Sequence, residues 1–236
     1  MNIELKSLMA NMAGLMRKND VISNNLANVN TNGFKRDVLF SEVLKDESDV
    51  KQKLSMLTDF SQGSLTQTDN PLDVAISGNG FFVVETEQGE ALTRNGHFLV
   101  DDSGTLITSS GNYVLGDGGR VVVTNDGLSM GKISITHSGE VYVDDEIRGR
   151  LRVVDVDDPG GLEKFGESLF TTDESNLHDV ENPMLLQGNL ESANVNPVNE
   201  LVNLIEIQRQ FESSQRAIKS ISEALRKTAN EVGRYR

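Results

Sequence analysis

Apolar residues recur at two different spacings along this chain, and the spacing changes with position. Near the N-terminus, Leu5, Leu8, Met12, Leu15, Asn19, Ile22 and Leu26 follow alternating steps of three and four, the seam period of a coiled coil. Met9 and Met16 widen the apolar face, and Asn19 is the one polar residue on it. The spacing predicts a single amphipathic helix over residues 1–29. Asn30-Thr31-Asn32-Gly33 then stops it with turn formers and a residue free to take positive φ. A second helix is predicted over the last part of the chain, with Asn196 suited to cap it and Pro197 to open its first turn. One register there runs Leu204, Phe211, Ile218, Leu225, Val232. Its companion, Leu201, Gln208, Gln215, Ser222 and Ala229, is weaker. Val198, Val202, Ile205 and Ile221 thicken the stripe, and no Gly or Pro interrupts it before Gly233. A helix of roughly 35 residues exceeds the usual globular length and predicts a coiled coil or bundle.

Between these ends the period shortens. Seventeen of the 21 glycines lie from Gly63 to Gly166. Short β-forming runs alternate there with turn signals: Leu72–Ile76, Phe81–Val84, Phe98–Val100, Thr105–Thr108, Tyr113–Leu115, Val121–Thr124, Ile133–Thr136, Val141–Val143 and Leu151–Val156. This spacing predicts an all-β sandwich or barrel. Residues 37–70 fit neither pattern and are expected to form an extended connector with a short helix near Val38–Leu44. The expected class is therefore α+β. Long terminal helices (1–33 and 196–236) form a coiled-coil or helical-tube domain, 34–70 is the connector, and 71–195 is an inserted β-domain. Each end helix alone exposes a wide apolar stripe. Burial of each Leu-sized residue is worth about 1.5–3 kcal/mol, so these stripes predict pairing with each other or with neighbouring copies.

Charge sharpens the contrast between ends and middle. The net charge is −14, yet residues 1–36 carry +3 and 195–236 carry +2, which leaves −19 for 37–194. A chain this acidic is repelled by nucleic acid and by anionic membrane surfaces. Trp and Cys are absent. The first weakens any aromatic stacking platform, and the second removes disulfides and thiol chemistry. The start shows no signal-peptide pattern, and no apolar stretch is long enough to span a bilayer.

Catalytic and ligand motifs fail on inspection. Gly78-Asn79-Gly80 and Gly116-Asp117-Gly118 begin like dinucleotide-binding loops, but Val83 and Val121 stand where the third glycine belongs. Asp155-Val156-Asp157-Asp158-Pro159-Gly160 opens like a calcium loop, yet Gly166 occupies the position that needs a bidentate Glu. His97, His137 and His178 show no ligand spacing. The expectation is a non-enzymatic protein with no catalytic residue, metal or cofactor.

Three strings carry a resemblance. Ser23-Asn24-Asn25-Leu26-Ala27-Asn28-Val29-Asn30-Thr31-Asn32-Gly33-Phe34-Lys35-Arg36 resembles the N-terminal signature of the bacterial flagellar basal-body rod and hook family. Thr68-Asp69-Asn70-Pro71-Leu72-Asp73-Val74-Ala75-Ile76-Ser77-Gly78-Asn79-Gly80-Phe81-Phe82 resembles the segment that enters that family's β-domain. Leu186-Gln187-Gly188-Asn189-Leu190-Glu191-Ser192-Ala193-Asn194-Val195-Asn196-Pro197 resembles the segment leading into its C-terminal helix, and Gln208-Arg209-Gln210-Phe211-Glu212 matches the middle of that helix. The motif residues singled out are Asn25, Leu26, Ala27, Asn28, Gly33, Phe34, Asn70, Pro71, Leu72, Gly80 and Phe81.

The resemblance implies a structural subunit of the flagellar basal-body rod, with copies of itself and other rod proteins as partners. The subunit passes through the flagellar type III export apparatus without cleavage and resides in the rod across the periplasmic space. No cofactor, nucleic acid or membrane insertion is implied. Its terminal helices polymerise into the drive shaft and its β-domain faces outward. The expected assembly interface is Leu5, Leu8, Met12, Leu15, Ile22, Leu26, Leu201, Leu204, Phe211, Ile218 and Leu225. Length favours the proximal-rod member, whereas Gly33-Phe34-Lys35-Arg36 and the connector also resemble the distal-rod member. A hook or hook-junction component is a further alternative. From another class, an adhesive β-module on a helical stalk would need aromatic residues on one β face.

Overall fold

The computed structural model describes residues 2–46, 49–124, 131–166 and 168–234, with side chains described except at 2–6, 41–54, 174, 225 and 228–234. The chain divides into two compact units. One comprises residues 1–27, 37–57 and 196–236, the other 28–36 and 58–195.

The first unit holds the two α-helices found among the described residues, α1 (Asn2–Ala27) and α2 (Pro197–Arg234). The Asn196 side-chain oxygen accepts from the amides of Val198 (3.1 Å) and Asn199 (3.2 Å), and Pro197 opens the first turn of α2. Two donors that a helix start leaves without partners are thereby satisfied. The same unit carries a two-stranded sheet, Asp37–Asp46 with Asp49–Thr58. Its first strand occupies the stretch where the sequence predicts a short helix.

This architecture corrects the expected class. The α+β chain organised by a coiled-coil or helical-tube domain is overturned, because among the described residues two α-helices flank a predominantly β-rich central region. The helices lack the packing of a coiled-coil seam. Of the expected seam on α1, Leu15 is buried, whereas Leu8, Met12, Ile22 and Leu26 stay half-buried. On α2, Leu204, Phe211 and Ile218 are half-buried and Leu201 is 46% exposed. The physical reason lies in the pattern itself. A seam needs two apolar registers, and the companion register on α2 turns polar after Leu201, at Gln208, Gln215 and Ser222.

In the second unit, the strand pairings among the described residues are all antiparallel. A ten-stranded sheet is accompanied by a three-stranded one and two strand pairs. The strand Phe81–Thr86 is its centre, flanked by Gly89–Thr93 and Tyr113–Gly116 and touched by Val153–Val156. Alternation of side chains explains why this strand reads as continuous apolar sequence. Phe82 and Val84 point into one core, with Leu72, Val74, Phe98, Leu106 and Leu185 among its members. Phe81 and Val83 point into a second, with Leu92, Val154, Val156 and Phe170. A strand covered on both faces has no polar side to show. Phe60, Phe81 and Phe170 meet edge to face, at centroid distances of 5.2–5.9 Å, an arrangement that aromatic quadrupoles favour.

Candidate functional site

The motif Gly33-Phe34-Lys35-Arg36 does more than end a helix. In the β-unit it is an inserted segment, and Gly33, Phe34 and Lys35 are all buried. Gly33 sits at φ +69°, and a Cβ there would lie 2.4 Å from the backbone of Arg94 and Asn95. Its amide donates to the Glu191 carbonyl at 2.7 Å. No residue but glycine satisfies both the left-handed backbone and the close approach. The Phe34 ring is covered by the Lys164 ammonium, 4.3 Å from its centroid, and Lys164 Nζ also donates to the Lys35 carbonyl at 3.1 Å.

Behind the motif lies a buried ion cluster. Lys35 Nζ donates to Glu191 Oε1 at 2.6 Å and to the Ser61 carbonyl at 2.8 Å. Gly63 N donates to the same carboxylate oxygen at 2.9 Å, and Arg94 Nη1 donates to Glu191 Oε2 at 3.2 Å. The side chains of Lys35 and Glu191 are 1% exposed and that of Arg94 is 4%. Burial pushes the Lys35 ammonium below its ordinary pKa, with Glu191 acting the other way. Burial does the same to the Arg94 guanidinium. Such a group costs several kcal/mol to desolvate and is retained only where its hydrogen bonds are nearly complete. Its geometry makes it a clamp, joining residues far apart in sequence.

The next segment is pinned by amides. Asn194 Oδ1 accepts from Arg36 N at 2.7 Å, while Asn194 Nδ2 donates to the carbonyls of Asp59 (2.7 Å) and Ser61 (3.1 Å). The Ser61 hydroxyl and amide, with the Arg36 guanidinium at 3.2 Å, hold the Asp59 carboxyl below the usual carboxylate range.

A second polar knot forms where the motif Asn70-Pro71-Leu72-Asp73 turns into the sheet. Asp73 is 3% exposed. Its carboxylate accepts from Thr68 Oγ1 at 2.6 Å and Asn70 Nδ2 at 3.0 Å, and lies 2.7 Å from His97 Nδ1. Leu72 N donates back to Asn70 Oδ1 at 3.3 Å, and Leu72 itself enters the larger core. Gly80, at φ +115°, lies so close to Val153 that a Cβ would come within 2.9 Å of its Cγ1. That tight passage leads directly to Phe81 in the second core.

In the helical unit, Asn25 is 1% exposed and clasps the backbone of Asp37. Its Nδ2 donates to the Asp37 carbonyl at 2.8 Å and its Oδ1 accepts from the Asp37 amide at 2.9 Å. One side chain thus imitates the two-bond pairing of a neighbouring strand. Leu26 is half-buried beside it, Ala27 is exposed, and Asn28 Oδ1 in the β-unit accepts from Thr31 Oγ1 at 3.2 Å.

The expected assembly residues whose side chains are described divide into three groups. Leu15 is buried and shares a groove of about 330 Å³ between α1 and α2 with Met16, Ile207 and Phe211. Leu8, Met12, Ile22, Leu26, Leu204, Phe211 and Ile218 are half-buried, and Leu201 is exposed. The side chains of Leu5 and Leu225 lie outside the described residues. Exposed apolar side chains cluster at the start of α2, where Val198 is 66%, Val202 58% and Ile205 52% exposed, and on α1 at Met9 and Met16. The heptad register misses Ile207, and no spacing in the sequence marks Lys35, Arg94, Glu191, Asp73 or His97 as site residues. Their one signal is that Lys35, Asp73 and Glu191 each sit inside a motif string.

No cluster of three or more potential metal ligands occurs among the described residues. His137 Nδ1 lies 2.7 Å from the Leu185 carbonyl, and His178 sits near Asp157 on the surface. Asp158 caps the turn Pro159–Gly161 by accepting from Gly160 N. Two open clefts of about 670 and 760 Å³ share Glu85 and Arg120. Those two pair through Arg120 Nε at 2.7 Å, and the guanidinium lies 3.9 Å over the Tyr113 ring.

The same strings are the ones that match known proteins. Residues 10–35 match the family described as "Flagella basal body rod protein", 75–143 the "Flagellar hook protein FlgE/F/G D1 domain", and 186–231 the "Flagellar basal body rod FlgEFG protein C-terminal". The flagellar basal-body rod protein FlgF of Caulobacter vibrioides is 35% identical, over 93% of this chain and 94% of the relative. FlgG of Bacillus subtilis is 31% identical over 96% of this chain and 98% of its own length. FlgF of Mesorhizobium japonicum is 30% identical over 88% of each. The inserted glycine motif, the Asn70–Asp73 knot and the Glu191 clamp all fall within, or within a few residues of, these matched stretches. The chain belongs to the flagellar basal-body rod protein family.

Proposed function

We propose that this chain is a subunit of the proximal rod that polymerises through the apolar faces of its terminal helices. In this reading, residues 1–33 and 196–236 are the assembly domain, 34–70 the connector and 71–195 the outward-facing β-domain. The observation that carries it is the row Val198, Leu201, Val202 and Ile205 on α2, each 46–66% exposed. Positions at i, i+3, i+4 and i+7 share one helix face. Fully burying each such side chain against a neighbour contributes about 1.5–3 kcal/mol. The remaining assembly positions are Leu5, Leu8, Met12, Leu15, Ile22, Leu26, Leu204, Phe211, Ile218 and Leu225, of which Leu15 and Phe211 line the groove between α1 and α2. Copies of this chain and other rod proteins are the partners. Repetition by a rotation that does not close gives a shaft that carries torque from motor to hook through many packed contacts. The chain reaches the periplasmic rod through the flagellar type III export apparatus without cleavage.

Electron microscopy of basal bodies from a strain lacking the gene tests this reading. Assembly that stops before the hook supports it, and the length of the remaining stub separates proximal from distal rod. The distal reading rests on the 31% identity to FlgG of Bacillus subtilis, and a hook-junction component would leave the rod complete. Complementation with Leu201→Asp, on an exposed position, is expected to yield folded protein and no rod. Normal hooks in the deletion strain would remove the proposal.

A further inference from the structure

Asparagine followed by glycine is the dipeptide most prone to spontaneous amide loss, because no side chain shields the glycine nitrogen. The chain has three such pairs, at Asn32, Asn79 and Asn95, and the fold treats them differently. Gly33 N is held by the Glu191 carbonyl at 2.7 Å, and its α-carbon is wedged against the Arg94–Asn95 backbone. Asn95 is tethered at both ends, with its amide donating to Thr93 Oγ1 and its Oδ1 accepting from His97 N, each at 3.0 Å. Gly96 is packed so closely that a Cβ would lie within bonding distance of the Val74 carbonyl. Asn79, by contrast, is exposed. Among the described residues neither its side chain nor the Gly80 amide makes a hydrogen bond. Gly78 before it, at φ +103°, has open space around its α-carbon.

We propose that Asn79 is a modification site, where the side-chain amide converts to an acid in the folded protein while Asn32 and Asn95 are protected. The Gly80 backbone nitrogen attacks Asn79 Cγ and loses its proton. The new C–N bond closes a succinimide, and the side-chain nitrogen leaves as ammonia. Water then opens either ring carbonyl, leaving an aspartyl or an isoaspartyl linkage at position 79. Both add a negative charge. The isoaspartyl form also inserts a methylene into the backbone directly before Gly80, which has no room toward Val153, and before Phe81 and Phe82 of the two cores. This chemistry is independent of the rod assignment.

Peptide mapping by mass spectrometry of the purified chain, aged at neutral pH, is the test. Conversion at Asn79 is expected about tenfold or more faster than at Asn32 or Asn95, whose reaction must wait for local opening of the fold. In denaturant the three rates are expected to converge. Comparable rates in the folded chain, or the same preference for Asn79 in denaturant, would overturn the proposal. Asn79→Gln should fold normally and lose most of the acidic species that accumulates on ion exchange. Undiminished accumulation in that variant would equally count against the site.

Discussion

The β-unit and the helical unit are built on opposite principles. In the β-unit, Phe82, Val84, Phe98, Leu106 and Phe170 are at most 1% exposed, and even its charged residues Lys35, Arg94 and Glu191 are closed off from water. In the helical unit, Leu15 is the one residue of the expected α1 seam found buried among the described residues, and α2 leaves Val198 and its neighbours in solvent. The β-unit pairs its buried charges internally, through Lys35 and Arg94 on Glu191. The helical unit leaves apolar side chains in solvent, and these are the surface proposed above for assembly. Damage to the β-unit should therefore appear as lost stability of the free chain, and damage to the outer helix faces as lost assembly.

The largest expected effect breaks the β-unit at its clamp. Glu191→Leu leaves two buried cations without their anion, a change worth about 3–5 kcal/mol, and urea denaturation should show it as a lowered midpoint. Gly33→Ala comes next. It forces a left-handed residue and a backbone clash, at a cost of about 3 kcal/mol by the same measurement. In the helical unit, Asn25→Ala removes both side-chain bonds to the Asp37 backbone, for about 1–3 kcal/mol. Hydrogen exchange should localise that loss to α1 and the strand that begins at Asp37. Val198→Ala is at the other end. Its effect on free-chain stability should lie within about 0.5 kcal/mol, while rod incorporation, scored by motility, should fall. If Val198→Ala instead destabilised the free chain as much as Asn25→Ala, the division between the two units would collapse.

Much of the β-unit is legible in the sequence because strand periodicity is local. Phe98–Val100 is read off residue for residue as a β-forming run between turn signals, and Phe81–Val84 as the first four residues of the strand Phe81–Thr86. The hairpin of 37–58 is not legible, because its two strands are defined by each other and not by an apolar alternation within either. The coiled-coil expectation fails for a related reason, since one apolar register does not make a seam without its companion. Asn25 and Asn70 stand out through resemblance alone, and Gly33 also as a helix stop free to take the positive φ it adopts. Only geometry shows that Asn25 imitates a strand, Gly33 fits a gap of no size, and Asn70 orients Asp73. The clamp is hidden most completely. Lys35 and Glu191 are single charges 156 residues apart, and no pattern within a window joins them.

That separation bears on the order in which the molecule can be completed. A chain that emerges from its N-terminal end presents Gly33 and Lys35 first, and their carboxylate follows 156 residues after Lys35. Closing a loop of 156 residues carries an entropic cost of about 4–5 kcal/mol, so the early segment has nothing to gain by docking ahead of time. The β-unit is therefore a timed fastening. The bolt slides home when the strand Asn189–Glu191 arrives, just before α2 follows.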